Sequence, residues 1–147
     1  MKKYLSLLLL SLVFLSSCKD EQITAVSAES RFQTRLVGRW TFSSFATKTN
    51  NADGTVTDNG TQSTAPASSI SFYNDGTVRI IDFGRGEAKG TYKIISDNEF
   101  SMITPSGNSY CRVETMSSKN FAFTGRVNNS DGSADFTTYF LADRAAL

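Results

Sequence analysis

The chain has 147 residues, 15 Lys plus Arg against 14 Asp plus Glu, two cysteines and no histidine. A formal net charge of +1 argues against a nucleic-acid binder, which needs a strong basic patch. The missing histidine removes the commonest general base and metal ligand, and with them every Ser-His or Cys-His nucleophile.

In chain order, Lys2 and Lys3 form a positive head before the apolar run Tyr4 to Leu15. Those 12 residues would reach about 18 Å as a helix, against roughly 30 Å of bilayer hydrocarbon. The run is too short for a stable span and has the form of an export signal. It ends in Leu15-Ser16-Ser17-Cys18, which resembles the lipobox of bacterial lipoproteins. The resemblance implies cleavage after Ser17 and acylation of Cys18, so that residues 1–17 are a signal peptide. One acyl chain anchors marginally, at about 0.8 kcal/mol per buried methylene, and several hold firmly. Lys19-Asp20-Glu21 then resembles the export signal of surface-displayed lipoproteins of the Bacteroidetes. That implies an outer-membrane location facing the cell exterior.

Without residues 1–17 the chain keeps 130 residues, enough for one domain with a real core, and 13 basic groups against 14 acidic. Acylated Cys18 leaves Cys111 without a disulfide partner, and its alternation with Val113 fits a buried small hydrophobe. Residues 18–34 are polar and without sustained period, which predicts a lipidated N-terminus and tether with one helical turn over Ser27-Ala28-Glu29-Ser30-Arg31-Phe32. The domain itself is expected over 35–147.

From there the pattern is that of short strands. Trp40 and Phe42 alternate with polar residues over 38–47, and Ile70 and Phe72 share a face in 68–73. Asn74-Asp75-Gly76 supplies a hairpin turn. Further strands are predicted over 77–83, 91–96, 99–104, 109–115, 120–127 and 134–142, with Gly84 to Gly90 as a connection. No segment after the leader keeps a helical period over a long window. Eight strands joined mostly by tight turns predict an all-β antiparallel meander, closed as a barrel or, alternatively, packed as a sandwich. The first connection, 48–67, has Val56 as its only large apolar residue and is expected to be mobile or to lie over something.

Leu36-Val37-Gly38-Arg39-Trp40 is similar to the G-x-W signature of lipocalins. It resembles more closely the short lipocalin-like domains of Bacteroidetes lipoproteins, with Phe72 before Asp75-Gly76-Thr77 and then Gly90-Thr91-Tyr92-Lys93-Ile94. The resemblance implies an eight-stranded up-and-down barrel closed at the Trp40 end. It also implies that segment 48–67 stands in the place of a lid loop over an open cup. Arg144 takes the position of the arginine that stacks on the signature tryptophan, which predicts a cation–π contact. The late threonine-aspartate-tyrosine turn and the closing helix of full lipocalins are missing.

One face collects Trp40, Phe42, Ile70, Phe72, Val78, Ile80, Tyr92, Ile94, Phe100, Met102, Val113, Phe121 and Phe123. Inside an eight-stranded barrel, these side chains either fill the interior or line a site for one small apolar ligand. The candidate lining is Phe42, Phe72, Ile80, Tyr92, Met102 and Phe123. Phe45, Tyr73, Ile81, Phe83, Ile95, Ile103, Tyr139 and Leu141 fall in the opposite phase, as scattered surface apolars or as a contact patch. Asp82, Glu87, Glu99, Glu114 and Asp135 form no paired-carboxylate site, and Gly84-Arg85-Gly86 opens no helix, so it fails as a phosphate loop. No catalytic, metal or cofactor residue is expected. The expected partners are the membrane, through Cys18, and a small ligand in the barrel; the alternative is a scaffold that binds a protein or glycan at the cell surface.

Overall fold

The computed structural model describes residues 27–65, 67–82 and 86–147. The leader, Cys18, Lys19, Asp20, Glu21, Phe83, Gly84 and Arg85 lie outside them.

Helix α1 (Ala28–Leu36) comes first, capped by the Ser27 hydroxyl, which accepts the Ser30 amide at 3.1 Å. Glu29 in its first turn and Arg35 in its last suit the helix dipole. Strands follow: β1 (Gly38–Asn50), β2 (Val56–Ser63), β3 (Ser69–Phe72), β4 (Thr77–Asp82), β5 (Gly86–Ile94), β6 (Glu99–Thr104), β7 (Gly107–Met116), β8 (Asn120–Asn128) and β9 (Ala134–Ala145). Each pairs antiparallel with its sequence neighbour from β3 to β9, and β9 returns to pair with β1 from Arg39↔Ala145 to Asn50↔Ala134. The result is a closed eight-strand up-and-down barrel, with β2 as an extra strand.

Strand β2 corrects the expectation of a mobile or lid-like segment. It shares one edge of β1 with β3: β3 pairs with Gly38 to Thr41, and β2 with Ser44 to Asn50. All of β2 is exposed, so burial does not drive it. The turn Asn51–Thr55 folds the chain back, with the Asp53 carboxylate accepting both the amide and the hydroxyl of Thr55 at 2.9 and 2.7 Å. An already ordered β1 then offers ladder bonds, and Lys48 pairs with Asp58 at 3.1 Å. The same device recurs at Asp75–Thr77 and Asp131–Ser133. In each turn the hydroxyl bond lowers the aspartate pKa first and the amide bond second.

The tether expected over 18–34 is likewise corrected from Ala28 onward. Phe32 is 2% exposed and Leu36 fully buried, one helical turn apart on the face that plugs the barrel base. With only two large apolar side chains in nine residues, the helix carries too little period to show its full length. Arg35 and Gln33 donate to the carbonyls of Met116 and Asn74, fixing it to two base turns. The stretch 86–90, expected as a connection, is the first half of β5, paired from Asp82↔Gly86 to Val78↔Gly90.

All thirteen residues of the expected inward face join the core or pack against it. Tyr139 and Leu141, expected in the opposite phase, also turn inward. They stand directly across from Phe123 and Phe121, which have 0% and 1% exposure, and directly opposed residues share a face. Phe45 follows them, opposite Tyr139, because a bulge between Phe42 and Ser44 flips the phase of β1. Ile103 is 54% exposed and Ile95 lies beyond the end of β5.

Candidate functional site

The base of the barrel explains the G-x-W signature. Trp40 is fully buried and its indole N–H donates to the Leu36 carbonyl at 3.0 Å, tying β1 to the end of α1. Arg144 lies over the Trp40 ring, 5.8 Å from the centroid, and donates to the carbonyls of Thr34 and Val37 that the helix leaves unpaired. Asp143, with φ 54°, sits in a β9 bulge that swings Arg144 under the base. Gly38 has φ 143°, and a Cβ there would stand 2.9 Å from the Arg144 Nε. These residues form a structural clasp. A groove of about 520 Å³ opens beside it, between Val37, Tyr73, Asp75 and Leu147.

Above the clasp the interior is filled. Of the six expected lining residues, Phe72 and Phe123 have no exposed surface, and Tyr92 and Met102 keep 7% and 6%. Any side chain lining even a water-sized void would show surface to it. Phe72 and Phe123 are therefore core, and their assignment as ligand lining is corrected. The reason is aromatic packing: Phe72 meets Tyr92 and Phe100 edge-on at 5.2 and 5.7 Å, and Phe123 stacks on Phe121 at 5.1 Å. Phe42 and Ile80 remain half-buried toward the open end, with Tyr139 5.6 Å from Phe42. Burial raises the pKa of both Tyr139 and Tyr92, and the Tyr92 hydroxyl donates to the Tyr73 carbonyl at 2.7 Å.

Further toward the mouth the inward rungs turn polar. Thr47 faces Thr137, and Thr49 faces Asp135. Asp135 accepts the Thr49 hydroxyl at 2.7 Å on one oxygen and the Asn129 amide at 3.0 Å on the other, and these bonds, Asn129's first, lower its pKa. Both oxygens are engaged in holding the rim.

The remaining acids do not converge. Glu87 pairs with Arg79 at 2.6 Å and Lys89 at 3.6 Å on β5, which lowers its pKa. Glu99 raises the pKa of Tyr110 by accepting its hydroxyl, Asp82 ends β4, and Glu114 lies on the outer wall. Among the described residues no group of three His, Cys, Asp or Glu could hold a metal ion, and no helix is long and apolar enough to cross a membrane.

Cys111 is fully buried, and burial pushes its thiol up to about 12. The folded chain therefore keeps its proton where the unfolded chain, near 8.5, gives it up. Stability from this residue is complete below about pH 8.5 and is lost as pH rises toward 12, by up to ~1.4 kcal/mol per unit. Denaturant midpoints should fall accordingly between about pH 8 and 10, and Cys111→Ser should flatten that slope. A thiol reagent should label Cys111 only on unfolding.

The second groove lies on the outer wall, about 510 Å³. It is built from outward rungs across β8, β9 and β1: Arg126–Phe136–Lys48 and Thr124–Thr138–Ala46. Arg126 lies over Phe136 at 5.7 Å, Lys48 is held by Asp58, and the two threonine hydroxyls bond each other at 2.9 Å. Asn50 and Glu114 complete the lining. The sequence carries one signal for it: in β9 Phe136 and Phe140 alternate with Tyr139 and Leu141, so both faces of one strand are apolar.

No family model and no curated protein matches the chain. Among solved structures it is similar to a redesigned β-barrel, with 20% identity over 78% of this chain and 96% of that one and a TM-score of 0.39. It is also similar to a de novo designed fluorescence-activating β-barrel, at 14% identity, 81% and 100% coverage and a TM-score of 0.37.

Proposed function

We propose that the protein is a lipid-anchored, non-enzymatic scaffold that presents its outer wall to a partner at the cell surface. In this reading residues 1–17 are removed, Cys18 carries the acyl chains, and Lys19-Asp20-Glu21 directs the protein to the exterior of the outer membrane. The reading is supported by one contrast more than any other: the barrel interior is packed shut around Phe72 and Phe123, while grooves of about 520 and 510 Å³ open on the outside. Two measurements test it. The native protein should have a mass that lacks residues 1–17 and includes acyl chains on Cys18; a bare thiol or an intact leader would overturn the anchor. Crosslinking in intact cells should capture one consistent partner, lost in Phe136→Ala and kept in Thr137→Val at the mouth. The opposite pattern would sink the outer-wall assignment.

A second reading, a small apolar ligand at the mouth, is favoured by the half-buried Phe42, Ile80 and Tyr139 below the polar rim. Native mass spectrometry of the protein purified from its host should then show a bound small molecule. Its absence removes this reading.

A further inference from the structure

The outer-wall groove has a defined chemistry, and the ligand class assigned to it rests on the outer wall being the functional face. Large side chains occupy one rung, Arg126–Phe136–Lys48, and small ones the next, Thr124–Thr138–Ala46, so a trough opens beside Phe136. It is an open groove of about 510 Å³.

The lining combines one apolar ring with polar groups of both kinds. The Lys48 ammonium donates, the Glu114 carboxylate accepts, and the Asn50 amide does both. These parts are already ordered. Arg126 holds Phe136 while its Nε donates to Asn128 at 2.9 Å, Asp58 holds Lys48, and Thr124 and Thr138 satisfy each other at 2.9 Å. Arg126, Phe136, Thr124 and Thr138 thus stand in place before a ligand enters the trough.

That combination discriminates between ligand classes. A simple anion would meet the Glu114 carboxylate. A wholly apolar ligand would strip water from Lys48, Asn50 and Glu114 and return no hydrogen bond. A sugar ring has an apolar C–H face and a rim of hydroxyls that both donate and accept, which is the complement of this lining. We propose that the groove binds a short glycan segment, the C–H face of one sugar against Phe136 and hydroxyls along the segment on Lys48, Asn50 and Glu114.

Titration calorimetry of the full mature chain against a panel of gluco-, galacto- and manno-oligosaccharides, neutral and uronic-acid-containing, tests this. At least one member should bind, and Phe136→Ala and Glu114→Gln should each weaken it about tenfold or more at unchanged melting temperature. Glu114→Gln removes a charge from an exposed side chain, so it should fold even if Phe136→Ala does not. Thr137→Val, inside the mouth, should leave binding intact. No binding across the panel, or binding indifferent to both groove variants, overturns the proposal. If crosslinked capture of a protein still depends on Phe136 in that case, the outer-wall reading survives and its partner is not a sugar.

Discussion

Gly90→Ala should leave the barrel at least about 3 kcal/mol less stable, or unable to fold, in urea titrations. A Cβ at this position would stand 2.1 Å from the Ile103 carbonyl oxygen, 3.1 Å from its carbon and 3.2 Å from the Thr104 Cα. All three are backbone atoms, so no side chain can swing aside. Strand β6 cannot retreat either, because Ile103 and Thr104 are paired on its other edge with Asn108 and Gly107 of β7. Moving β6 away from β5 therefore means breaking the β6–β7 ladder. Gly125→Ala is the matched control: its Cβ would meet the Cys111 Sγ at 3.7 Å and the Ser109 Cβ at 3.8 Å, ordinary contacts. It should shift stability by no more than about 1 kcal/mol. Equal effects in the two variants would mean that the close approach of β5 to β6 is not what requires a glycine.

Trp40→Ala should cost about 3–5 kcal/mol, since it empties a fully buried aromatic site next to Phe121, 5.1 Å away. Trp40→Phe keeps most of the volume but removes the donor to the Leu36 carbonyl, for about 1–2 kcal/mol. Arg144→Ala should cost about 1 kcal/mol: its side chain is largely exposed, so water replaces part of what it gives the Thr34 and Val37 carbonyls. Because Arg144 covers the Trp40 ring, Trp40→Phe and Arg144→Ala should fall short of additivity by about 0.5 kcal/mol in a double-mutant cycle. Trp40 is the single tryptophan of the chain, so its fluorescence reports this site directly. Strict additivity, with no red shift in Arg144→Ala, would mean that the stacked arginine does not support the tryptophan.

The legible part of the fold comes from period and turn chemistry. Alternation of period two places the inward face through Phe123, because a strand's side chains have only two directions to point. Asp75-Gly76-Thr77 marks the first tight hairpin, and its twin Asp53-Gly54-Thr55 has the same chemistry. The strand after that twin leaves no pattern because Val56–Ser63 buries nothing and owes its order to the edge of β1. Helix α1 shows in the sequence as a single turn over 27–32 and not at its full length, because Phe32 and Leu36 gain meaning only against a barrel base assembled from residues far along the chain. Phe45 points the other way from its expected phase because a bulge in β1 inserts one residue and inverts the side chains beyond it, and nothing local announces it; Tyr139 and Leu141 take their face from Phe123 and Phe121 across an unbroken ladder. The outer groove depends on register across β8, β9 and β1. Register belongs to the closed sheet, so Lys48, Thr124 and Phe136 look unrelated until the ends meet.

The clasp beneath the barrel also has a mechanical meaning. A pull arriving through the chain ahead of Ser27 enters at α1 and passes to Trp40 and Arg144, which join the first strand to the last. Beyond them β1 is laced along its full length to β9 on one side and to β3 and β2 on the other. Traction along that direction loads those ladders in shear, many bonds together, where a peeling force would take them one by one. A pull along the strand axis at that end would therefore meet many bonds at once.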